Sequence, residues 1–288
     1  SPRRCEGRRD PDRHEDSATH VVLMLSSDDG RTWQAQQLGN FSDNGAAPAL
    51  ALGSRGDVHL AYWHSDAENP GRVVYQRRRP GGEFRAVALP LSNLLGETSQ
   101  MSALPSLDLA VDENDIAAIA YFMGADDQLQ LAFWKPGMPV AVKIAEMQAP
   151  AAAKPELKLA LFGGHANVFY RLGGDDMRLW ALEGDYGEQW NAPVLLEPGG
   201  GARGDGALSL VINHEGDRVF ATGSAGGGSW WLVHGADLKR LLMVDEKNAS
   251  LGRNTAGLGL ALDGERRVTA VTVNGADGAL TLYRKLLP

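Results

Sequence analysis

From His20 onward the chain alternates short apolar or every-other-residue apolar runs with turns rich in Gly, Asp and Asn. Runs of this length and period predict β-strands at short spacing, and so an all-β fold. Helical periodicity is not sustained anywhere. Residues 149–154 are interrupted by Pro150 and followed by Pro155, which predicts a loop.

The pattern also repeats. A first hairpin of apolar strand, polar turn and apolar strand occurs at residues 49–62 (ALALGSRGDVHLAY), 107–121 (LDLAVDENDIAAIAY), 157–170 (LKLALFGGHANVFY), 208–221 (LSLVINHEGDRVFA) and 258–271 (LGLALDGERRVTAV). With Leu52, Val111, Leu161, Ile212 and Leu262 as equivalent positions, the spacings are 59, 50, 51 and 50 residues. The first interval is lengthened by an insertion at residues 91–103 (LSNLLGETSQMSA). Four antiparallel strands repeated around an axis make a β-propeller, whose stacked blades leave few open edges. Five first hairpins predict five blades, with six as the alternative. The last unit reads as three strands ending at residues 279–286, and the N-terminal piece as one hairpin, residues 20–26 and 34–38. Closure of the ring is expected to use N-terminal strand material to complete the last blade.

Composition narrows the class. The 288 residues (30.8 kDa) suffice for one large domain. With 43% hydrophobic and 22% charged residues they read as an ordinary globular chain. Residues 1–19 are the exception: Arg3, Arg4, Arg8, Arg9 and Arg13 balance Glu6, Asp10, Asp12, Glu15 and Asp16, with almost nothing apolar between them. Such a segment cannot offset its ordering entropy by burial, and it reads as a polar tether to a single propeller domain over residues 20–288. A net charge of -8 without a basic stripe argues against nucleic acid as partner. No apolar run approaches the roughly 20 residues of a spanning helix, so direct membrane insertion is not expected. The one cysteine, Cys5, excludes an intrachain disulfide and a multi-cysteine zinc site. It reads as a free thiol, because Ser1, Pro2, Arg3 and Arg4 are not the small apolar residues expected before a lipid-attachment cysteine.

Between the two N-terminal strands stands Ser26-Ser27-Asp28-Asp29-Gly30-Arg31-Thr32-Trp33. This resembles the Asp-box (BNR) repeat of sialidase-like propellers, S-x-D-x-G-x-T-W, at every defined position. In such a turn Ser26 and Asp28 bond backbone groups, Gly30 takes a positive φ, Thr32 closes the turn and Trp33 anchors it into the blade interface. The motif covers one turn; the corresponding turns of the other units lack it. The resemblance implies a bacterial propeller of the sialidase-like superfamily, with its ligand site on the face of the blade crossovers, opposite the Asp-box. It also implies an Arg-Ile-Pro signature in active sialidases, and that tripeptide is absent.

The crossover face offers weaker candidates. Arg203 and Arg253 stand five residues before the inner leucines Leu208 and Leu258, and Lys154 lies just before Leu157. Converging cations of this kind can clamp a carboxylate or phosphate, although capping of crossover carbonyls or pairing with Asp205 and Glu156 is the favoured account of them. Asp66, Glu68, Asp126, Asp127, Asp175, Asp176 and Asp277 fall in second-to-third turns, where turn chemistry accounts for them. Asp66 and Glu97, the latter in the insertion, are the candidates for an acid/base. Trp63, His64 and Trp230 lie near the same loops and could stack on a sugar, whereas aromatics in propellers chiefly fill the space between blades. No metal and no cofactor is expected. Asp108 and Lys158 fall at the same level on adjacent inner strands and predict an ion pair between blades. Of two Arg-Gly-Asp tripeptides, residues 55–57 fall in a hairpin turn.

The reading that follows is a non-catalytic, extracytoplasmic propeller, periplasmic or secreted, that binds a protein or a glycan or serves as a subunit of a larger envelope assembly. The alternative is a divergent sialidase-like glycoside hydrolase acting on a carboxylated sugar.

Overall fold

The computed structural model describes residues 19–28, 30–41, 48–64, 72–89, 106–125, 128–148, 155–172, 178–186, 189–196, 208–213, 215–222, 229–233, 241–243, 255–263, 265–274 and 276–287. These residues form strands joined by turns, and no helix among them is long and apolar enough to cross a membrane. An N-terminal sheet pairs β1 (Thr19–Leu25) with β2 (Gln34–Phe41). The first blade is β3 (Ala49–Leu52), β4 (Val58–His64), β5 (Arg72–Arg78) and β6 (Arg85–Ala88). The second is β7 (Leu107–Val111), β8 (Ala117–Ala125), β9 (Gln128–Trp134) and β10 (Val142–Gln148). The third is β11 (Glu156–Phe162), β12 (His165–Arg171), β13 (Leu179–Gly184) and β14 (Val194–Leu196). The fourth is β15 (Leu208–Ile212), β16 (Arg218–Thr222), β17 (Ser229–Val233) and β18 (Leu241–Met243). The fifth has three strands, β19 (Thr255–Leu262), β20 (Arg267–Asn274) and β21 (Leu280–Leu286). Every pairing is antiparallel and follows chain order within each sheet. All five hairpins anticipated from the repeat are present.

The blades stack in sequence, with each inner strand against the next: β3 on β7, β7 on β11, β11 on β15, β15 on β19. This explains why the strands read as apolar runs, since a middle blade buries both faces. On β8, Ala117, Ile119, Tyr121 and Met123 pack toward the first blade, while Ala118, Ala120 and Phe122 pack toward the third. An aromatic pair bridges each of three successive interfaces: Tyr75–Trp134, Phe122–Tyr170 and Phe169–Phe220, with ring centroids 5.7, 5.7 and 5.3 Å apart. The fourth interface is aliphatic, built from Val219, Ala221, Val268, Ala270 and Leu287.

Closure departs from expectation. β1 and β2 pair with each other instead of completing the fifth blade, and they lay Val21 and Leu38 on Leu60, Tyr62 and Val74 of the first blade. A hairpin already satisfies one edge of each of its strands locally, and a buried apolar face then decides where it docks. The far face of the fifth blade carries Leu280, Leu282 and Leu286 exposed.

The first-hairpin turns share one geometry in four blades. Gly53, Asp112, Asn213 and Asp263 each donate a backbone N–H to the carbonyl four residues on, and accept from the residue three on. The residue three on takes a left-handed conformation: Gly56 (φ 79°), Asp115 (61°), Gly216 (84°) and Arg266 (60°). Side-chain oxygens of Asp112, Asn213 and Asp263 also accept backbone N–H groups two and four residues ahead. The third blade instead uses a two-residue turn at Gly163-Gly164, both at positive φ.

Candidate functional site

The inner strands are tied together near the axis by one recurring device. An Asp108 carboxylate oxygen accepts the Leu159 N–H at 2.8 Å, Glu156 accepts the Leu208 N–H at 2.6 Å, and Ser209 Oγ accepts the Leu260 N–H at 3.2 Å. In each case a side chain on one inner strand satisfies the backbone of the next blade. The expected Asp108–Lys158 pair is present at 3.6 Å, with the Asp108 side chain 16% exposed and Lys158 33%. Burial raises the Asp108 pKa, opposed by Lys158 and by the Leu159 N–H. The second Glu156 oxygen pairs with the buried Arg171 guanidinium on the adjacent strand of the same blade.

The opposite end, where the hairpin turns lie, is laced from blade to blade. Asp115 accepts from Ser54 N–H (2.5 Å), Ser54 Oγ (3.0 Å) and Arg55 Nε (2.7 Å) of the preceding turn. Arg266 reaches Asp217 at 3.2 Å in the same way. Glu113 accepts the Gly163 N–H at 3.0 Å, and the Tyr186 hydroxyl donates to buried Asp112. The first Arg-Gly-Asp tripeptide is consumed here: Arg55 holds Asp115 and Asp57 holds Arg77. Both charged side chains of the tripeptide are thus engaged within the fold.

Between the third and fourth blades these turns leave a cleft of about 370 Å³, within the range of small-molecule sites. Phe162 and Gly216 form one wall. His165 Nδ1 meets Asp185 Oδ1 at 2.8 Å at the rim, where both side chains are more than half exposed. Deeper, Arg218 donates to Glu183 at 2.7 Å. Glu183 stands opposite Asn167 in the β12–β13 register, and both side-chain amide atoms of the buried Asn167 lack a hydrogen-bond partner among the described residues. Asn191, Gln189 and Glu215 complete the polar lining. The lining thus sets one aromatic ring, Phe162, beside carboxylate, amide, imidazole and guanidinium groups. His165, Glu183, Asp185, Gln189 and Asn191 come from the third blade and Glu215, Gly216 and Arg218 from the fourth, and each reads alone as an ordinary turn or strand residue, so periodicity does not reveal them.

The structure gathers few of the sequence candidates. Lys154, Arg203, Arg253, Asp66 and Glu97 lie outside the described residues, as do Glu68, Asp126, Asp127, Asp175 and Asp176. His64 ends β4 and Trp230 lies in β17, but their side chains are outside the described set. Trp63 is 3% exposed in the core between the first two blades, so it serves packing and presents no face to a ligand. In the N-terminal turn, Asp28 accepts from Thr32 N–H (2.8 Å) and Thr32 Oγ1 (2.6 Å), and Ser26 Oγ donates to Asp28 at 2.9 Å and accepts the Gly30 N–H at 2.8 Å. Hydrogen bonds led by the Thr32 hydroxyl hold the Asp28 pKa below the ordinary carboxylate value. Trp33 corrects the expectation of an interface anchor. It is 57% exposed and its indole N–H caps the Gly30 carbonyl at 3.1 Å, because the turn ends the first sheet of the stack with no described blade before it. Among the described residues no cluster of metal-ligating side chains forms.

No protein-family model matches the chain, and no curated protein does. Solved structures do match. The chain is similar to the NanB sialidase of Streptococcus pneumoniae (TM-score 0.57, 10% identity), covering 96% of this chain and 64% of that one. It is also similar to the Aleuria aurantia lectin, a six-bladed β-propeller with a distinct mode of fucose recognition, in two structures. The TM-scores are 0.52 and 0.51 at 8% and 9% identity, covering 88% of this chain and 80–81% of the lectin. At such identities the likeness establishes the fold, a β-propeller.

Proposed function

We propose that this chain is a non-catalytic, glycan-binding β-propeller that works outside the cytoplasm. The observation that carries the reading is the cleft between the third and fourth blades, where Phe162, His165, Glu183, Asp185 and Asn191 line about 370 Å³. The acids around the axis and turns support it, because Asp108, Glu156, Asp112 and Asp115 are each committed to fastening neighbouring blades. We read residues 26–33 as an Asp-box and the ring as having six positions, the N-terminal hairpin being the outer half of the sixth. A protein ligand, within a larger envelope assembly or on its own, is an outcome of the same test.

The test is a glycan array followed by calorimetry, using the whole chain and Asn191→Ala and Asp185→Ala variants. The expected result is selective binding that both variants weaken. Selective binding untouched by them, or binding of a protein and no glycan, refutes the assignment. The competing reading, a divergent sialidase-like hydrolase with Arg203, Arg253 and Lys154 on the substrate carboxylate and Asp66 or Glu97 as acid/base, predicts turnover of a fluorogenic sialoside or uronide that Arg253→Ala abolishes.

A further inference from the structure

The first blade carries an arrangement that turn chemistry and packing do not explain. Arg77, Arg78, Arg79 and Arg85 fall within nine positions of a chain whose net charge is -8. In the β5–β6 register Arg77 stands directly opposite Arg85. Like charges in that relation repel on a shared face and destabilise the pair. Alternation puts Tyr75 and Arg79 on the same face, while Arg78 turns to the other side and lies 5.5 Å over Phe84.

On that shared face Tyr75, Arg77, Arg79, Gly82, Glu83 and Arg85 line a cleft of about 360 Å³. Arg77 is held rigidly. Its Nε donates to the buried Asp57 carboxylate at 3.0 Å and a second guanidinium nitrogen bonds the same oxygen. The Tyr75 hydroxyl is fixed 2.7 Å from His59 Nδ1. Arg79 and Arg85 form no ion pair among the described residues, and Glu83, the one acid in the lining, pairs with neither. The blade thus orients one guanidinium with a buried acid and brings two uncompensated ones alongside it, at an electrostatic cost that a bound anion would reverse.

We propose that this cleft binds a single oxyanion, a carboxylate or a sulfate or phosphate group, borne by the ligand of the propeller. Guanidinium groups recognise such groups through paired N–H donors, and three of them at one cleft set both position and orientation. The site stands on the first blade, apart from the cleft of the proposed glycan site, and its existence does not depend on that assignment.

The test is isothermal calorimetry of the whole chain with sodium sulfate, inorganic phosphate and glucuronate, against sodium chloride at matched ionic strength. Saturable binding of at least one oxyanion is expected, with chloride inert. Arg79→Gln with Arg85→Gln should weaken it roughly tenfold or more, the loss expected for removing two charge-assisted contacts. In oxyanion-free buffer the same double variant should melt no lower than the parent, because it relieves the Arg77–Arg85 repulsion. Sulfate or phosphate without glucuronate identifies an ester-bearing ligand, and glucuronate alone a carboxylated one. Binding that follows ionic strength regardless of the anion, or that survives the double substitution, overturns the proposal. Asn191→Ala should leave oxyanion binding intact, which separates this failure from that of the glycan cleft.

Discussion

Asp108→Ala removes the acceptor of the Leu159 N–H, a 2.8 Å bond between the inner strands of the second and third blades. A buried backbone donor left without a partner costs about 1–3 kcal/mol. The accompanying loss of the 3.6 Å contact to Lys158 adds little. That ammonium is a third exposed and can turn to water, where ion pairs contribute about 0–1 kcal/mol. The sum, roughly 1–3 kcal/mol, corresponds to a melting shift of about 2–6 °C for a domain of this size. Asp108→Asn separates the two contributions, since it keeps an oxygen for Leu159 and deletes the charge. Burial raises the Asp108 pKa, so the folded state prefers the protonated acid. The proton-linked part of its contribution is therefore complete below the ordinary carboxylate range and is lost as pH rises through the raised folded value, whereas the Leu159 hydrogen bond, which the ionised carboxylate also accepts, persists at neutral pH. Asp108→Asn should stay within about 1 kcal/mol of the parent at neutral pH and flatten that part of the pH profile. Thermal melts by circular dichroism across pH 3–8 read both effects. An Asp108→Ala protein that melts with the parent at neutral pH, or an Asp108→Asn protein that falls as far as the alanine variant, would refute the argument.

Other positions give further checks. Tyr121 is fully buried and its hydroxyl has no hydrogen-bond partner among the described residues, so Tyr121→Phe should be neutral or stabilise by up to about 1 kcal/mol in chemical denaturation. Gly216 has φ 84° and a Cβ there would stand 3.0 Å from the Phe162 ring, so Gly216→Ala should lose about 1–2 kcal/mol and disturb the adjoining cleft, as ligand titration would report. His59 is buried, and desolvation, followed by the nearby Arg77 charge, lowers its pKa from 6.5. The unfolded chain then binds the proton more readily, so stability should be complete above about pH 6.5 and decline as pH falls below it. His59→Gln should remove that slope in melts between pH 5 and 8, and an unchanged slope would assign it to other groups.

Much of the fold was legible because a blade buried on both faces writes its strands as apolar runs, and a 50-residue period survives even where individual residues differ. The phase of the inner strands was enough to pair Asp108 with Lys158 across blades. What escaped depended on choices between partners. The β1–β2 hairpin itself was legible, but nothing local says which blade it joins, since docking on the first blade and completing the fifth satisfy the same alternation. Trp33 matched its motif in type, yet its burial depends on whether a sheet precedes it. His165, Glu183, Asp185 and Asn191 meet through the register of the third blade, and only the stacking of the fourth blade, with Glu215, Gly216 and Arg218, turns them into a cleft. The Arg77–Arg79 run is plain to see, but its opposition to Arg85 exists only once the β5–β6 register is known.

At two of the four matching first-hairpin turns, the left-handed position holds Asp115 or Arg266 where glycine would sit without strain. Each of these residues reaches back to the preceding blade's turn. The hairpin therefore gives up some local ease in exchange for a bond to its neighbour. Replacing either by glycine would make the isolated hairpin easier to form while loosening the seam beside it. Improving each repeat by its own preferences would thus yield better parts and a weaker whole.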